Sequence, residues 1–348
     1  IKEVNYMEKE KYIITGATGH IGNVLARKLC KQNKDVTAFV LPNEDLTPIK
    51  NLNLKIVYGD VTDREAVFKL IEKNSIVMHL AGIIEIGTMQ EEIIRKVNVE
   101  GTKNVVDACV ENQAKKLIYL STVHIIDPQN EGDILVEPTV FDKNKVVGNY
   151  AKTKLEATKY IFDACKEKGL KASVLYPSGV LGPYDYKISE LGQVILDYMN
   201  HKLIAYVKGG YNFVDVRDVV DAAVNAVTMG RDGEGYIVSG RAVDLKELLS
   251  IINKKLGRKR LPPKIALWFV RMFAGLSNLY YKMRKKKPVF SKYSLYTLNV
   301  NHNFSNEKAK KELKFKPRDV VESVNDSVDW FIKNKPELVN FKKLNIDK

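Results

Sequence analysis

Tyr150 and Lys154 stand four residues apart in GNYAKTKLEA, residues 148–157. On a helix that spacing puts both side chains on one face, a single turn apart. A tyrosine with an ordinary pKa near ~10 is a poor base at neutral pH, and a neighbouring ammonium favours its phenolate. The pair thus has the parts of a proton-transfer site. Tyrosine and lysine also fall four apart by chance on solvent-facing helices, so spacing alone does not decide.

A second group of residues points to a dinucleotide. TGATGHIG, residues 15–22, follows an apolar run and opens a helical stretch. Gly16, Gly19 and Gly22 form G-x-x-G-x-x-G. Their missing side chains allow a tight turn, close approach of backbone N–H groups to a pyrophosphate, and close helix-on-strand packing. This is not the commonest dinucleotide fingerprint, and its place between a strand and a helix carries the reading. Thr18, His20 and Ile21 complete the candidate loop. In YGDVTD, Asp60 suits an adenine amino group and Val61 the ring, while the competing role of the segment is to cap the next helix, where Thr62 is the better-placed residue. Leu80, Ala81 and Gly82 in HLAG are small or apolar residues at a strand end, where backbone can pass beside a ribose. His79 reads as a packed strand residue, because no second histidine or acid lies at metal-binding spacing, and no metal is expected.

The elements that must position these groups follow from periodicity. Short apolar, β-branched runs near 11–15, 35–40, 54–58, 75–80, 116–121 and 171–176 alternate with helical stretches near 20–32, 63–73, 89–112 and 150–168. That alternation predicts an α/β fold, a Rossmann-type doubly wound parallel sheet whose ligand sits at the carboxyl ends of the strands. Beyond about 177 the alternation loosens, with helices near 187–201, 217–229, 244–256 and 305–313. The predicted organisation is a dinucleotide-binding domain over 7–177, completed by parts of 213–240. A smaller, mostly helical substrate region then comprises 178–212 and 241–340.

Taken together with LSTVH (120–124), these motifs carry a resemblance. VNVEGTKNVVDAC (97–109), YPSGVLGP (176–183), FVDVRDVVDA (213–222) and FSNEKAKKELKFKP (304–317) complete an ordered set across nearly the whole length. The chain resembles the extended short-chain dehydrogenase/reductase superfamily, also called the NAD-dependent epimerase/dehydratase family. The resemblance implies a catalytic set of Thr122, Tyr150 and Lys154, with Lys154 also binding the nicotinamide ribose and Pro177 and Val180 contacting cofactor. Ser121 and Thr122 are adjacent and must face opposite sides of a strand; the alignment favours Thr122. Asn98 is implied to brace neighbouring backbone, and His124 reads as a strand-edge residue more than a substrate contact. Homodimers through the helices near 89–112 and 150–168 are common in the family.

Superfamily membership does not choose the reaction. The dehydratase branch has an Asp-Glu pair after its threonine, where this chain has Val123 and His124. The epimerase branch has an asparagine about where Gly179 falls, and PSGV is closer to dihydroflavonol reductases and 3β-hydroxysteroid dehydrogenases. The leading expectation is an NAD(P)-dependent oxidoreductase interconverting an alcohol and a ketone or aldehyde on a small, hydrophobic substrate. A nucleotide-sugar epimerase or reductase is the alternative, and a redox-sensing dinucleotide binder without turnover is disfavoured by the intact Tyr-Lys-Thr set. For coenzyme, an acid near Val40 would bind the ribose hydroxyl of NAD and an arginine near Leu41 the 2′-phosphate of NADP, but both positions are apolar. The basic charge and reductase-like loops lean toward NADP over NAD.

Composition bounds the rest. A net charge of +14 raises the question of anionic partners, but the lysines are dispersed and no nucleic-acid-binding module accompanies them. Nucleic acid is therefore not expected. Cys30, Cys109 and Cys165 are far apart, suggesting neither a disulfide framework nor a zinc site, and a cytoplasmic location is expected. Residues 1–6, ahead of Met7, read as a leader or extension without assigned structure. The stretch 264–287, with aromatic and aliphatic residues at helical spacing and the basic block KMRKKK, is read as core packing in preference to membrane-surface contact.

Overall fold

The computed structural model describes residues 10–84, 90–266 and 296–341. Met7 with its upstream residues, and the amphipathic stretch from residue 267 onward, lie outside the described residues.

Seven parallel strands form the main sheet. In chain order they are β1 (Lys11–Thr15), β2 (Asp35–Val40), β3 (Lys55–Tyr58), β4 (Ile76–His79), β5 (Lys116–Leu120), β6 (Ala172–Pro177) and, later in the chain, β9 (Glu234–Val238). Their spatial order is β3-β2-β1-β4-β5-β6-β9, so the chain reverses direction across the sheet between β1 and β4. Loops from β1 and β4 diverge there to opposite faces and leave a crevice at the carboxyl edge.

The strands are almost wholly buried because helices cover both faces. Alternate residues sort accordingly. Ile14, Met78, Leu120, Leu175 and Val238 enter the core formed with helices α1 (His20–Lys31), α7 (Val216–Met229) and α9 (Glu307–Leu313). Ile13, Val77, Tyr119, Tyr176 and Ile237 enter the opposite core, under α2 (Arg64–Leu70), α4 (Thr102–Glu111) and α5 (Asn149–Lys168).

Where the sequence predicts one helix over 89–112, the chain forms α3 (Glu91–Arg95), a wide π-type turn over Lys96–Gly101, and then α4. The wide turn accommodates two tight contacts. Asn98 exchanges hydrogen bonds with the backbone of Ile83, and Gly101 lies against Val61, where an added Cβ would meet Val61 Cγ2 at 2.7 Å. The helix over 63–73 is shorter than its apolar pattern implies. It is capped by Asp63, whose carboxylate accepts from Ala66 N, and not by Thr62. Thr62 instead has its backbone N–H bonded to the Asp60 carboxylate at 2.8 Å.

Beside the main sheet stand α6 (Glu190–Met199), α8 (Leu245–Lys255) and α10 (Val320–Asn334), together with a three-stranded sheet that periodicity does not reveal. Its strands are β7 (Gly179–Leu181), β8 (Gly210–Asp215) and β10 (Arg241–Asp244), in the order β10-β8-β7. They are short, and Tyr, Asn and Gly break their alternation. Phe213, Val243, Leu249, Val324 and Phe331 fill the core they share with these helices.

Buried acids tie the C-terminal segment to α7. Asp218, 3% exposed, accepts from the Arg318 backbone N–H at 2.6 Å and from its guanidinium. Asp218→Ala leaves both donors without this acceptor, and a loss of about 2 kcal/mol is expected. Urea denaturation should show a lower midpoint at unchanged slope; an unchanged midpoint would refute the assignment.

Candidate active site

The carboxyl edges of β1, β4, β5 and β6 bring the sequence candidates into one region. At β1, the turn through Gly16 to Gly22 lies backbone-to-backbone on the end of β4. Gly16 has φ +74°, and a Cβ there would sit 2.7 Å from Ala81 N and 2.8 Å from Leu80 C. A Cβ on Gly22 would lie 2.1 Å from Gly16 O, so α1 begins directly against the turn. Its N-cap, Gly19, supplies no side-chain hydrogen bond, which leaves the first N–H groups of the helix available to an anion. The site thus fits the pyrophosphate of a dinucleotide.

The neighbouring candidates are held by specific contacts. Ala81 N donates to Thr15 Oγ1 at 3.2 Å, Leu80 N to Thr15 O at 3.1 Å, and Gly82 lies beside Asn98 Oδ1. His20 Nε2 pairs with Pro183 O at 3.0 Å, and the Thr18 hydroxyl accepts from Lys187 at 3.0 Å. Ile21 packs against the α1 core, Pro177 closes β6 opposite Val238, and Val180 pairs with Val214. Val61 is 6% exposed and mostly covered by this chain's own residues. His79 is fully buried between the hydroxyls of Thr15 (2.7 Å) and Thr102 (3.0 Å), and burial pulls its pKa down to about 3. It is a packed, neutral strand residue.

The adjacent hydroxyls of Ser121 and Thr122 have different partners on α5. Ser121 Oγ lies 2.8 Å from Thr158 Oγ1 on α5, in a buried pair that holds the helix to β5. The Thr122 hydroxyl accepts from His124 N at 3.3 Å and interacts with the Tyr150 phenol. Gly148 precedes α5, and Tyr150, Thr153 and Lys154 all lie on its buried face. Thr153 Oγ1 donates to Tyr150 O at 2.9 Å and accepts from Asn98 at 3.1 Å, which locks the first turn of α5 to the π-type turn.

The electrostatics depart from expectation. Lys154 points to Leu120 O at 2.5 Å, with its ammonium 4.1 Å from the centre of the Tyr119 ring. Burial, only partly offset by Thr122, pushes Tyr150 up to about 12. Burial likewise pulls Lys154 down to about 7. The lysine therefore does not lower the phenol here, because desolvation acts on both groups and favours the neutral form of each.

One neighbour was underrated by sequence. His124 sits with its ring 6.5 Å from that of Tyr150, and its Nε2 lies 2.7 Å from the Tyr211 hydroxyl. The His302 ring lies tilted against Tyr211, with ring centres 4.7 Å apart. Burial pulls His124 down to about 4 and also lowers His302. With Val123, Ile126, Val146 and Phe304 these rings line a pocket. Its one formally charged lining residue, Lys145, is paired with Asp127 at 2.9 Å. Neither Tyr211 nor His302 carries a spacing signal; the turns of β8 and of the 296–304 segment bring them here.

The Lys154 shift has a measurable consequence. Between a folded pKa of about 7 and the ordinary 10.5, the unfolded chain holds a proton that the folded chain lacks, so stability rises with pH. Below that window both states are protonated and the full burial cost is felt. Relative to Lys154→Met, the wild type should gain about 2 kcal/mol between pH 7 and 9. A pH-independent difference in chemical denaturation would show that the ammonium is not desolvated.

Comparison with known proteins agrees with this geometry. Sterol demethylase protein B of Methylococcus capsulatus is 26% identical over 326 residues, 92% of this chain and 97% of that protein. A putative dihydroflavonol 4-reductase of Synechocystis sp. is 24% identical, covering 92% of this chain and 94% of its own. The crystal structure of gox2253 superposes with a TM-score of 0.81 at 30% identity, covering 93% of this chain and 98% of that one. Residues 12–239 match the sequence pattern described as the NAD dependent epimerase/dehydratase family. This chain belongs to that family and is an enzyme of the extended short-chain dehydrogenase/reductase type.

Proposed function

We propose that the enzyme interconverts an alcohol and a ketone on a hydrophobic, ring-bearing substrate, using a nicotinamide dinucleotide. The observation that carries this reading is the pocket around His124, whose ring stands 6.5 Å from that of Tyr150. Burial holds its two histidines, His124 and His302, toward their neutral forms, Lys145 is paired with Asp127, and the rest of the lining is aromatic, aliphatic or, at Thr297 and Asn301, uncharged and polar. Such a pocket accepts an apolar body with an isolated hydroxyl or carbonyl and offers little to a pyrophosphate. The names of the two relatives carry a sterol and a dihydroflavonol, both ring-bearing compounds.

Gly179 supports the same choice. A Cβ there would stand 3.0 Å from the Tyr211 ring, 3.1 Å from Asn212 O and 3.2 Å from Leu191. An asparagine side chain there would crowd the Tyr211 ring, which disfavours the sugar-nucleotide contact implied for epimerases.

The family's cofactor supplies the hydride acceptor or donor, and the residues of this chain manage the proton. The first turn of α1 would hold the pyrophosphate, and Lys154 would bind the nicotinamide ribose. Thr122 orients the substrate oxygen toward Tyr150. In reduction the phenol, being a weak acid, gives its proton to the developing alkoxide; in oxidation the phenolate takes it back. The β5–α5 hydrogen bonds hold Thr122 and Tyr150 in register for that transfer.

Thr122→Val should lower kcat by about 10² or more, the size of effect seen when one oxygen-binding donor is removed. Ser121→Ala should retain turnover. Turnover is read as nicotinamide absorbance with hydrophobic cyclic ketones, and the reverse ranking of the two variants would overturn the assignment. Thermal-shift measurements with the same ketones and with UDP-sugars test the substrate class. Stabilisation by UDP-sugars alone would replace this reading with the nucleotide-sugar one.

The proposal includes a cytoplasmic homodimer packed through α4 and α5. Sedimentation velocity giving a monomer at micromolar concentration would remove the dimer from it.

A further inference from the structure

We infer that Tyr119 is a positioning residue for Lys154, the face of its ring holding the lysine's ammonium against the end of β5 and favouring its charged form. The catalytic part of this inference rests on reading Tyr150 and Lys154 as the proton-transfer pair; the contact itself does not.

Strand register puts the ring in place. Thr15, His79 and Tyr119 are cross-strand partners at the carboxyl ends of β1, β4 and β5. Residues in register on neighbouring parallel strands point to one face, so the three side chains form a row. The hydrogen bonds along that row have one consistent direction. Thr102 gives its hydroxyl proton to Asn98 O at 2.7 Å, so its oxygen accepts from His79 Nε2 at 3.0 Å. His79 Nδ1 is then the acceptor for Thr15 Oγ1 at 2.7 Å, and that oxygen accepts from Ala81 N at 3.2 Å. Both nitrogens of a neutral imidazole are engaged, and the ring cannot turn without breaking one of these bonds. Tyr119 stacks on it, with ring centres 5.5 Å apart and planes 28° from parallel.

Lys154 completes the row from α5. Its Nζ stands 4.1 Å from the centre of the Tyr119 ring and donates to the carbonyl of Leu120, the next residue of the strand. Among the described residues no carboxylate pairs with it. The titratable groups around it are His79 on β4, Tyr119 on β5 and Tyr150 on its own helix, and burial drives each toward its neutral form. Glu137 and Glu234 bear on Tyr176 of β6 and not on Lys154. What favours ammonium over amine is therefore one carbonyl and the negative face of a neutral ring. In a desolvated site such a ring contact is strong enough to move a titration by about one pH unit.

The titration of Lys154 tests this without substrate or cofactor. It is followed by the NMR shift of the ε-carbon in lysine-labelled protein and identified by its absence from Lys154→Met. The wild-type midpoint is expected near 7. Tyr119→Phe, which keeps the ring, should leave it within about 0.3 pH unit, and Tyr119→Leu should lower it by about one. Because leucine leaves a cavity, a fluorinated phenylalanine at position 119 supplies the same test in a filled core: it keeps the ring's shape, drains its face of negative charge, and should also lower the midpoint. The alkaline limb of ketone reduction should move down with the midpoint in each variant. A midpoint unmoved by leucine and by fluorination would overturn the inference, and so would a loss of kcat by the same factor at every pH, which is what a merely structural role gives. If the midpoint moves as expected but the wild type reduces no ketone, the proposed reaction fails and the hold of Tyr119 on Lys154 stands.

Discussion

The contact on which the site depends is the one between the turn after β1 and the end of β4. Gly16 touches the Leu80–Ala81 backbone, and Gly22 touches the Gly16 carbonyl, at distances that exclude a Cβ. Because these backbones meet without side chains between them, α1 starts at the sheet edge and its uncapped N-terminus opens into the crevice between β1 and β4. Thr15 adds a side-chain hydrogen bond across the same junction. Widening it by even one methyl group would move the helix away from β5, and the cofactor loop would lose its relation to Tyr150.

A second constraint is the absence of stabilised charge at the chemistry. Tyr150, Lys154, His79 and His124 are all buried, and burial drives each toward its neutral form. Burial of this kind favours the neutral phenol and imidazoles and leaves Lys154 near the midpoint of its titration at neutral pH, its ammonium held by Leu120 O and the Tyr119 ring. Rigidity compensates for the missing ion pairs. Asn98, Thr153 and Thr158 lock α5 to the π-type turn and to β5 through hydrogen bonds between neutral groups.

Much of this was legible in the sequence for reasons that are local. Fully buried parallel strands read as continuous apolar runs, so β1, β2 and β4 to β6 are visible, and G-x-x-G-x-x-G marks a turn that only glycine can make. That Ser121 and Thr122 differ in direction is expected from strand alternation, while the choice of Thr122 rests on the family resemblance. Less was visible where non-local contacts decide. The strands of the small sheet have too few residues to show a period, and the π-type turn reflects the Asn98–Ile83 bonds and not helix propensity. Similarly, Tyr150-x-x-x-Lys154 is readable as a pair, but the direction in which burial shifts the two groups depends on Tyr119, Leu120 and the surrounding walls.

The pocket around His124 shows the same limit more sharply. His124 lies two residues after Thr122, close enough in sequence to be noticed and too ordinary in context to be assigned. Its environment is made by Tyr211 from β8 and His302 from a segment about ninety residues further on. Tyr211 in turn needs Gly179 beneath it on β7, since a side chain at that position would displace the ring. One glycine in the small sheet therefore sets where an aromatic stands, the aromatic sets where a histidine points, and that histidine borders the tyrosine. The surroundings of His124 are thus set by packing between two strands, a turn and a loop, none of which the short motifs of the sequence describe.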